Sequence, residues 1–340
     1  MGAHLLKAVP GAAAVGLALG CAALARAQTQ APVMTAPPAP PPAHGALPSF
    51  TVAPPPHGPE IPKLPLGTRV RLPFAPPLDR PLVYYWSETG RAGEHGANVD
   101  GEVTIRFTRA GDFYLMETRT TLFGMPLGLA ATPEMQLLVR PLTFRLDRDG
   151  TLVGVENEEQ YWRSVEEIVT RLARRPGARK DDVGLMRRIF RSMHALPQAE
   201  RVAIFARRVG PITALAGLDM AVGETVQPEP VEAQLPLPGV QAKLKQRWEI
   251  TLSEATAARV RVDSVARFDE AGTQAVMADI AKLAPAGAGI PERLRISRTI
   301  EQEALRESGL IRRYHERIIV ETEAGSPKAI RLVTLGLVER

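Results

Sequence analysis

The clearest structural signal in the chain is the stretch KLKQRWEITL, residues Lys243 to Leu252. Its side chains alternate in character at every second position, which is the period of a β-strand. One face carries Leu244, Gln246, Trp248, Ile250 and Leu252, and the other face carries Lys243, Lys245, Arg247, Glu249 and Thr251. A strand with one largely apolar face and one charged face is typical of an antiparallel sheet that is wetted on one side.

The same alternation recurs along the chain, before and after a long helical stretch. It predicts strands near residues 82–88, 103–107, 113–121 and 260–268, strands beginning near Leu294 and Leu310, a hairpin at 145–152 and a last strand at 328–338. Short connections make this a meander, and eight or more strands must curl or close to bury their apolar face.

The helical stretch predicts an insertion between the two sets of strands, residues 159–208. Tyr161, Val165 and Ile168 fall on one helical face, and Pro176-Gly177 ends the first helix. A second helix is predicted from Asp181 to about His194, and a third opens at Pro197. The predicted fold class is therefore α+β: a curved, mostly antiparallel sheet, either half-barrel or open barrel, with the helical insertion packed on its concave face.

Residues 1–27 have the pattern of an export signal. Lys7 precedes an apolar run, and Ala25-Arg26-Ala27 offers small residues where a signal peptidase cleaves, after Ala27. A retained membrane anchor is the alternative. Cys21 is the only cysteine, so cleavage would leave no thiol for catalysis or metal binding. The sequence before Cys21 also resembles a bacterial lipoprotein box, which gives lipid anchoring through Cys21 as a further alternative.

Residues 28–66 are predicted to be a disordered, proline-rich linker, because 13 of the 31 prolines lie there. It serves either as a spacer or as a tail without such a role. Residues 67–340 are then predicted to form a single domain. The formal net charge of +5 falls to +3 when Lys7 and Arg26 leave with the signal. That small excess does not indicate a nucleic-acid partner.

No motif for a nucleophile, nucleotide or metal is present in full. His315-Glu316 begins like a zinc-protease motif, but Ile319 stands where the second histidine belongs, and the pattern there is a strand. A solvent-facing strand histidine is the simpler interpretation. His95 lies in a glycine-rich stretch, 91–98, predicted to be an exposed loop, which gives the one weak argument for an enzyme. No catalytic residue, metal ligand or cofactor is predicted.

The segment from Leu122 to Leu129 is apolar but interrupted by glycine and proline. It is interpreted as a lip over a cavity or, alternatively, as ordinary core. The candidate cavity residues are Leu122, Phe123, Met125 and Leu127, together with Ile189 and Phe190 of the second helix.

The stretch from Arg163 to Arg191 holds nine basic and four acidic residues. Arg187, Arg188 and Arg191 are the candidates for docking on anionic lipid headgroups or on an acidic envelope partner. The alternative is a solvated helix face with favourable intrahelical ion pairs.

The order of signal, linker, strands, helices and one-sided strands resembles the bacterial lipoprotein-carrier half-barrels over roughly Leu82–Arg340. The hairpin around Asp149-Gly150, which leads directly into the helical insertion, is the part that carries this likeness. The resemblance implies a curved sheet that closes over helices and holds an acyl chain between them. It supplies no individual site residue.

These observations together predict an exported, periplasmic envelope protein that binds an apolar or lipid-like ligand between sheet and helices and is not an enzyme. A structural or assembly factor that docks a partner through its arginine-rich helices is the first alternative. An envelope hydrolase is the second.

Overall fold

The computed structural model describes residues 62–92, 95–123, 140–174, 180–234, 243–283, 294–322 and 328–338. Its strands are β1 (Arg69–Arg71), β2 (Leu82–Ala92), β3 (His95–Ala110), β4 (Phe113–Leu122), β5 (Leu142–Leu146), β6 (Leu152–Val155), β7 (Asp219–Ala221), β8 (Thr225–Val226), β9 (Val231–Gln234), β10 (Lys243–Ala255), β11 (Arg259–Phe268), β12 (Leu294–Leu305), β13 (Ile311–Thr322) and β14 (Lys328–Leu337). Its α-helices are α1 (Glu158–Ala173), α2 (Lys180–His194), α3 (Gln198–Phe205) and α4 (Glu270–Leu283).

Within the described residues, twelve strands form one antiparallel sheet in the order β6-β5-β4-β3-β2-β14-β13-β12-β11-β10-β8, with β9 also pairing with β10. The sheet is curved and does not close into a barrel. The remaining two strands, β1 and β7, pair with each other. The predicted fold class is confirmed.

The alternation in the sequence gives the sheet an inner, buried face and an outer, wet face. On β3, Val103, Ile105 and Phe107 are fully buried, while Arg106 and Thr108 are exposed. Because successive strand side chains point to opposite faces, this parity extends across the register from β5 to β10. The inner-face residues form the main hydrophobic core.

One end of the sheet, here called the packed end, is covered by residues 62–77. Lys63 forms a bridge with Thr256 next to the β10–β11 turn. Ala75 N donates to Ser308 O beside the β12–β13 turn, 3.1 Å away. The Phe74 ring meets Tyr114 edge-on, with centroids 5.0 Å apart. This segment therefore ties together turns from both halves of the sheet.

The opposite end of the sheet is here called the far end. The described chain has six internal gaps, and the elements that flank five of them end or begin at this end of the sheet. The ends that flank these gaps are Ala92 and His95, Leu122 and Leu142, Gln234 and Lys243, α4 and Leu294, and Thr322 and Lys328. Since neighbouring strands are antiparallel, all of these connections join strands at the same end.

Met125 and Leu127 lie outside the described residues, as do Cys21 and Ala27.

The helical insertion reaches the inner face mainly through its last part. In α1 and α2, Trp162, Val165, Val169 and Val183 form a small core of their own. The chain then passes through 3₁₀ turns at Ala206–Arg208 and Gly210–Thr213. The residues from Ala206 to Val222 that join the sheet core are Ala206, Val209, Ile212, Leu215, Leu218, Met220 and Val222. The segment that fills the curve therefore starts at the end of the predicted insertion, 159–208, and continues beyond it to Val222.

Two local predictions differ from the structure. Residues 91, 92 and 95–98 are not a loop as predicted, because β2 continues to Ala92 and β3 begins at His95, which pairs with it. The strand alternation also gave no prediction of α4, which lies between β11 and β12. Its start is fixed by Asp269, whose Oδ2 accepts a hydrogen bond from Gly272 N at 2.8 Å.

We expect Gly309→Ala to lower the free energy of unfolding by about 3 kcal/mol or more, because it combines backbone strain at a positive φ with a steric clash. Gly309 has φ +71°, and an added Cβ would collide with the Pro73 carbonyl oxygen of the covering segment. The control is Gly217→Ala, which has φ +79° but open space around the Cβ, so it loses about 1 kcal/mol. Urea denaturation measures both. Equal losses would show that the contact with Pro73 contributes nothing.

Candidate functional site on the inner face

The inner face carries polar side chains in the middle of its apolar surface, on β10, β12 and β13. Trp248 on β10 and Arg298 on β12 both pair with Ala266, which lies between them on β11. The Arg298 guanidinium lies 5.4 Å from the centre of the Trp248 ring. Because Ala266 is small, the two large side chains meet across it.

Arg298 forms a buried ion pair with Glu316 on β13. Their Nε and Oε1 atoms are 2.8 Å apart, and the two side chains are 8% and 4% exposed. Tyr314 Oη donates a hydrogen bond to Glu316 Oε2 at 2.8 Å. A buried charge is tolerated only when it is paired in this way.

The titration of this cluster follows from its burial. Burial lowers the pKa of Arg298, but Glu316 and Tyr314 raise it, and the net shift is upward. Burial also raises the pKa of Tyr314, and the neighbouring carboxylate of Glu316 raises it further. Arg298 is therefore charged, and Tyr314 neutral and able to donate, across the physiological pH range.

Some donors of this cluster are left over. Among the described residues, no hydrogen-bond partner is present for Gln246 Nε2, Trp248 Nε1 or Arg298 Nη1. The three residues are 2%, 5% and 6% exposed. Buried donors without an acceptor are uncommon in folded proteins, since each costs free energy comparable to a lost hydrogen bond. The cluster can therefore donate to a group that supplies acceptors.

Helix α4 covers this part of the inner face. It contacts both β10 and β12. Its Thr273 and Val276 are buried, whereas Lys245 and Arg247 on the outer face of β10 are exposed. The helix therefore lies on the same side of the sheet as the polar cluster and keeps water away from it.

A second ion pair lies on the inner face between the insertion and β2. Arg207 pairs with Glu88, and both side chains are largely buried. The Arg208 guanidinium lies 4.4 Å from the Trp86 ring centre. Burial raises the pKa of Tyr161 on α1, and Arg208 and Arg140 lower it in part. Arg207 and Arg208, which follow the basic stretch 163–191, thus face the sheet and hold this part of the chain against it.

Towards the far end, the inner face is incompletely covered. Side chains near the packed end and in the middle of the inner face, such as Phe107 and Trp86, are fully or almost fully buried. The partly exposed apolar residues of the far end are Val99, Leu122, Leu142, Phe268, Ile296 and Val333. They lie on β3, β4, β5, β11, β12 and β14 and are here called the apolar rim, of which Phe268 and Ile296 lie beside the polar cluster.

A surface groove of about 520 Å³ lies outside the sheet, at the start of α1. Its lining includes Arg140, Arg163, Glu159 and Glu167, so both signs of charge are present. Arg140 also contacts Ser164. Such a mixed, open groove favours water and exchangeable polar contacts rather than one class of ligand.

Of the six candidate cavity residues from the sequence, the three whose side chains are described lie apart from one another. Leu122 lies in the apolar rim, whereas Phe123 is exposed and stacks on Tyr85 with ring centroids 6.3 Å apart. Phe190 packs in the separate core of α1 and α2. Ile189 lies in α2, but its side chain is outside the described part, as are Met125 and Leu127.

The docking candidates Arg187, Arg188 and Arg191 all lie exposed on α2. Within the described residues, none of the three has an ion pair with a carboxylate. His315 lies on β13, and its Nδ1 is 3.4 Å from Thr334 Oγ1. The described residues include no group of three or more potential metal ligands. No helix among them is long and apolar enough to span a membrane.

The cluster of Gln246, Trp248, Arg298 and Glu316 was missed as a site in the sequence. A signal for it was present, because each residue falls on the apolar parity of its strand. Arg298 lies between Ile296 and Ile300, and Glu316 lies between Tyr314 and Ile318. A charged residue in an inward position has to find a partner, but the alternation alone does not identify that partner.

We expect Glu316→Gln and Arg298→Met each to lower the free energy of unfolding by about 3–5 kcal/mol. The first leaves the buried charge of Arg298 without its carboxylate, and the second leaves the buried charge of Glu316 without its guanidinium. The double variant Arg298→Met/Glu316→Gln removes both charges and keeps an acceptor for Tyr314. Its free energy of unfolding should be higher than that of the less stable single variant. Urea denaturation at neutral pH checks this, and additive losses in the double variant would contradict it.

No protein-family model matches this chain, and no curated protein matches it. It is distantly similar to a solved structure described as lipid–protein interactions in lipovitellin. The TM-score is 0.34 at 11% identity, and the match covers 81% of this chain and 25% of that one. The crystal structure of Rv2717c from M. tuberculosis gives a TM-score of 0.22 at 8% identity, covering 76% of this chain and 91% of that one. This chain thus spans about a quarter of the lipovitellin chain, and likeness at this level says nothing about a shared ligand.

Proposed function

We propose that this chain is an exported envelope protein that binds an apolar or lipid-like ligand on the inner face of its curved sheet and does not act as an enzyme. The observation that carries the proposal is the apolar rim at the far end. Its six side chains lie on the inner face and keep part of their surface exposed, whereas large side chains in the middle of that face, such as Phe107 and Trp86, are buried.

The apolar rim suits a hydrocarbon chain for physical reasons. Neighbouring strands are about 4.8 Å apart, so the rim residues on β3, β4 and β5 form one apolar surface and those on β11 and β12 form another. Covering apolar surface contributes about 25 cal/mol per Å², and it requires no exact partner geometry. A flexible alkyl chain is therefore the class of ligand that this rim favours.

Export remains part of the proposal on the strength of the N-terminal sequence. Residues 1–27 have the signal pattern, and the proline-rich stretch separates them from the fold. The periplasm is the compartment proposed, with lipid anchoring through Cys21 as the alternative. If the mass of the mature protein corresponds to a chain that begins at Gln28, cleavage is supported. If the mass shows a lipid attached to Cys21, lipid anchoring is supported instead.

We expect Leu122→Asp to weaken binding of the neutral apolar dye Nile red by more than about tenfold, equivalent to about 1.4 kcal/mol, because a carboxylate would be placed in the apolar rim. The matched control is Phe123→Asp, the adjacent residue, which is exposed against Tyr85. Fluorescence titration of delipidated protein measures both. If the wild type does not bind the dye, or both variants bind it equally, the rim is not the site.

A second candidate function, docking on an anionic lipid surface, is favoured by the exposed arginines of α2. Arg187 and Arg191 are one helical turn apart, and Arg188 lies beside them. These charges point to solvent, unlike those of Arg207 and Arg208, which are turned towards the sheet. An arginine near an anionic membrane contributes about 1 kcal/mol.

We expect the triple change of Arg187, Arg188 and Arg191 to Gln to reduce binding to vesicles that contain phosphatidylglycerol by roughly 100-fold, since about 3 kcal/mol is lost. Vesicle sedimentation at low salt measures this. The control changes Arg247, Arg267 and Arg317 to Gln, which removes the same charge from the exposed outer face of the sheet. Equal losses in both triple variants would mean that only net charge matters.

A further inference from the structure

Three side-chain donors of the polar cluster on the inner face are the starting point. Gln246 Nε2, Trp248 Nε1 and Arg298 Nη1 are buried and have no hydrogen-bond partner among the described residues. Trp248 and Arg298 lie on either side of β11, so their backbones are about 10 Å apart, and Gln246 is two residues along β10 on the same face. The three donors thus lie on one face of the sheet, on β10 and β12, with β11 between them.

The charge in this region is already balanced. Arg298 is paired with Glu316 at 2.8 Å, and Tyr314 donates to the same carboxylate. A ligand carboxylate would bring an unmatched negative charge into a site from which water is excluded, close to the charge of Glu316. An uncharged carbonyl oxygen accepts hydrogen bonds and brings no charge. The donors that remain therefore suit a neutral acceptor.

The apolar rim leads to this cluster. Phe268 pairs with Gln246 across β11 and β10, and Ile296 lies two residues before Arg298 on β12. Both are partly exposed members of the rim. An alkyl chain on Phe268 and Ile296 would bring a group at its end to the donors. The apolar and polar parts of the site are thus adjacent along the same strands.

We infer that the site takes an amphiphile with an uncharged carbonyl, such as a fatty acyl ester or amide, in preference to a free fatty acid or a pure hydrocarbon. This inference rests on the proposed function, because the rim must first hold the chain. It adds the chemical class of the ligand and assigns Gln246 and Trp248 as the residues that determine it.

The test compares four probes that share one chain and one fluorophore: methyl 1-pyrenedecanoate, N-methyl-1-pyrenedecanamide, 1-pyrenedecanoic acid and 1-decylpyrene. Each is titrated into delipidated protein at neutral pH, where the acid is ionised. One or two hydrogen bonds from buried donors should make the ester and the amide bind about tenfold more tightly than 1-decylpyrene. The ionised acid should bind more weakly than the ester.

Gln246→Leu and Trp248→Phe each remove a donor and preserve most of the shape. We expect each variant to bring the affinities for the ester and for 1-decylpyrene within about threefold of each other, because the ester loses a hydrogen bond that 1-decylpyrene never makes. The matched control is Arg247→Gln, which lies between them on β10 but is exposed on the outer face. It should keep the wild-type preference. Urea denaturation without probe shows whether each variant is folded.

The outcomes separate this inference from the proposed function. Equal binding of ester and 1-decylpyrene to the wild type, or tightest binding of the acid, overturns the carbonyl assignment but leaves apolar binding in place. A preference for the ester that survives in both donor variants also overturns the assignment. If none of the four probes binds, the proposed function and this inference both fail.

Discussion

Burial of one inner face is the constraint on which the rest of the structure depends. A curved sheet that does not close has to be covered by other parts of the same chain, because twelve strands with an exposed apolar face would aggregate. Residues 62–77 cover the packed end, and residues 205–222 lie along the middle of the inner face. These two segments do not reach the far end, where the partly exposed residues of the apolar rim lie, and α4 covers the polar cluster beside it.

The polar cluster is costly for the stability of the fold. A buried ion pair such as Arg298 with Glu316 rarely stabilises a fold more than well-packed apolar residues of the same size would, since both charges lose their hydration. Gln246 and Trp248 add donors that the described protein does not satisfy. Buried polar groups that destabilise the core at one place are typical of functional sites, because ligand binding there requires groups that packing alone does not favour.

The sheet was largely predictable from the sequence, and the site was not. Strands such as β10 and β11 alternate cleanly, so their existence and their inner faces follow from residue type. Helix α4 was missed because its short alanine-rich sequence lies between two strong strand patterns, although Asp269 is a good helix cap. The pairing of Arg298 with Glu316 depends on the register between β12 and β13, which a single sequence does not give. The likeness to lipoprotein carriers stays a prediction.

The cover on the packed end has a consequence for how the chain folds. Lys63 contacts Glu254, 191 residues later, and Ala75 is hydrogen-bonded to Ser308. Residues 62–77 are the first part of the fold to be synthesised, and they cannot form these contacts until almost the whole chain has been made. Contacts this distant in sequence close slowly, because a long loop must be ordered before they form. Until then the inner face is open at both ends, and protection from aggregation in that interval depends on the cell rather than on the fold.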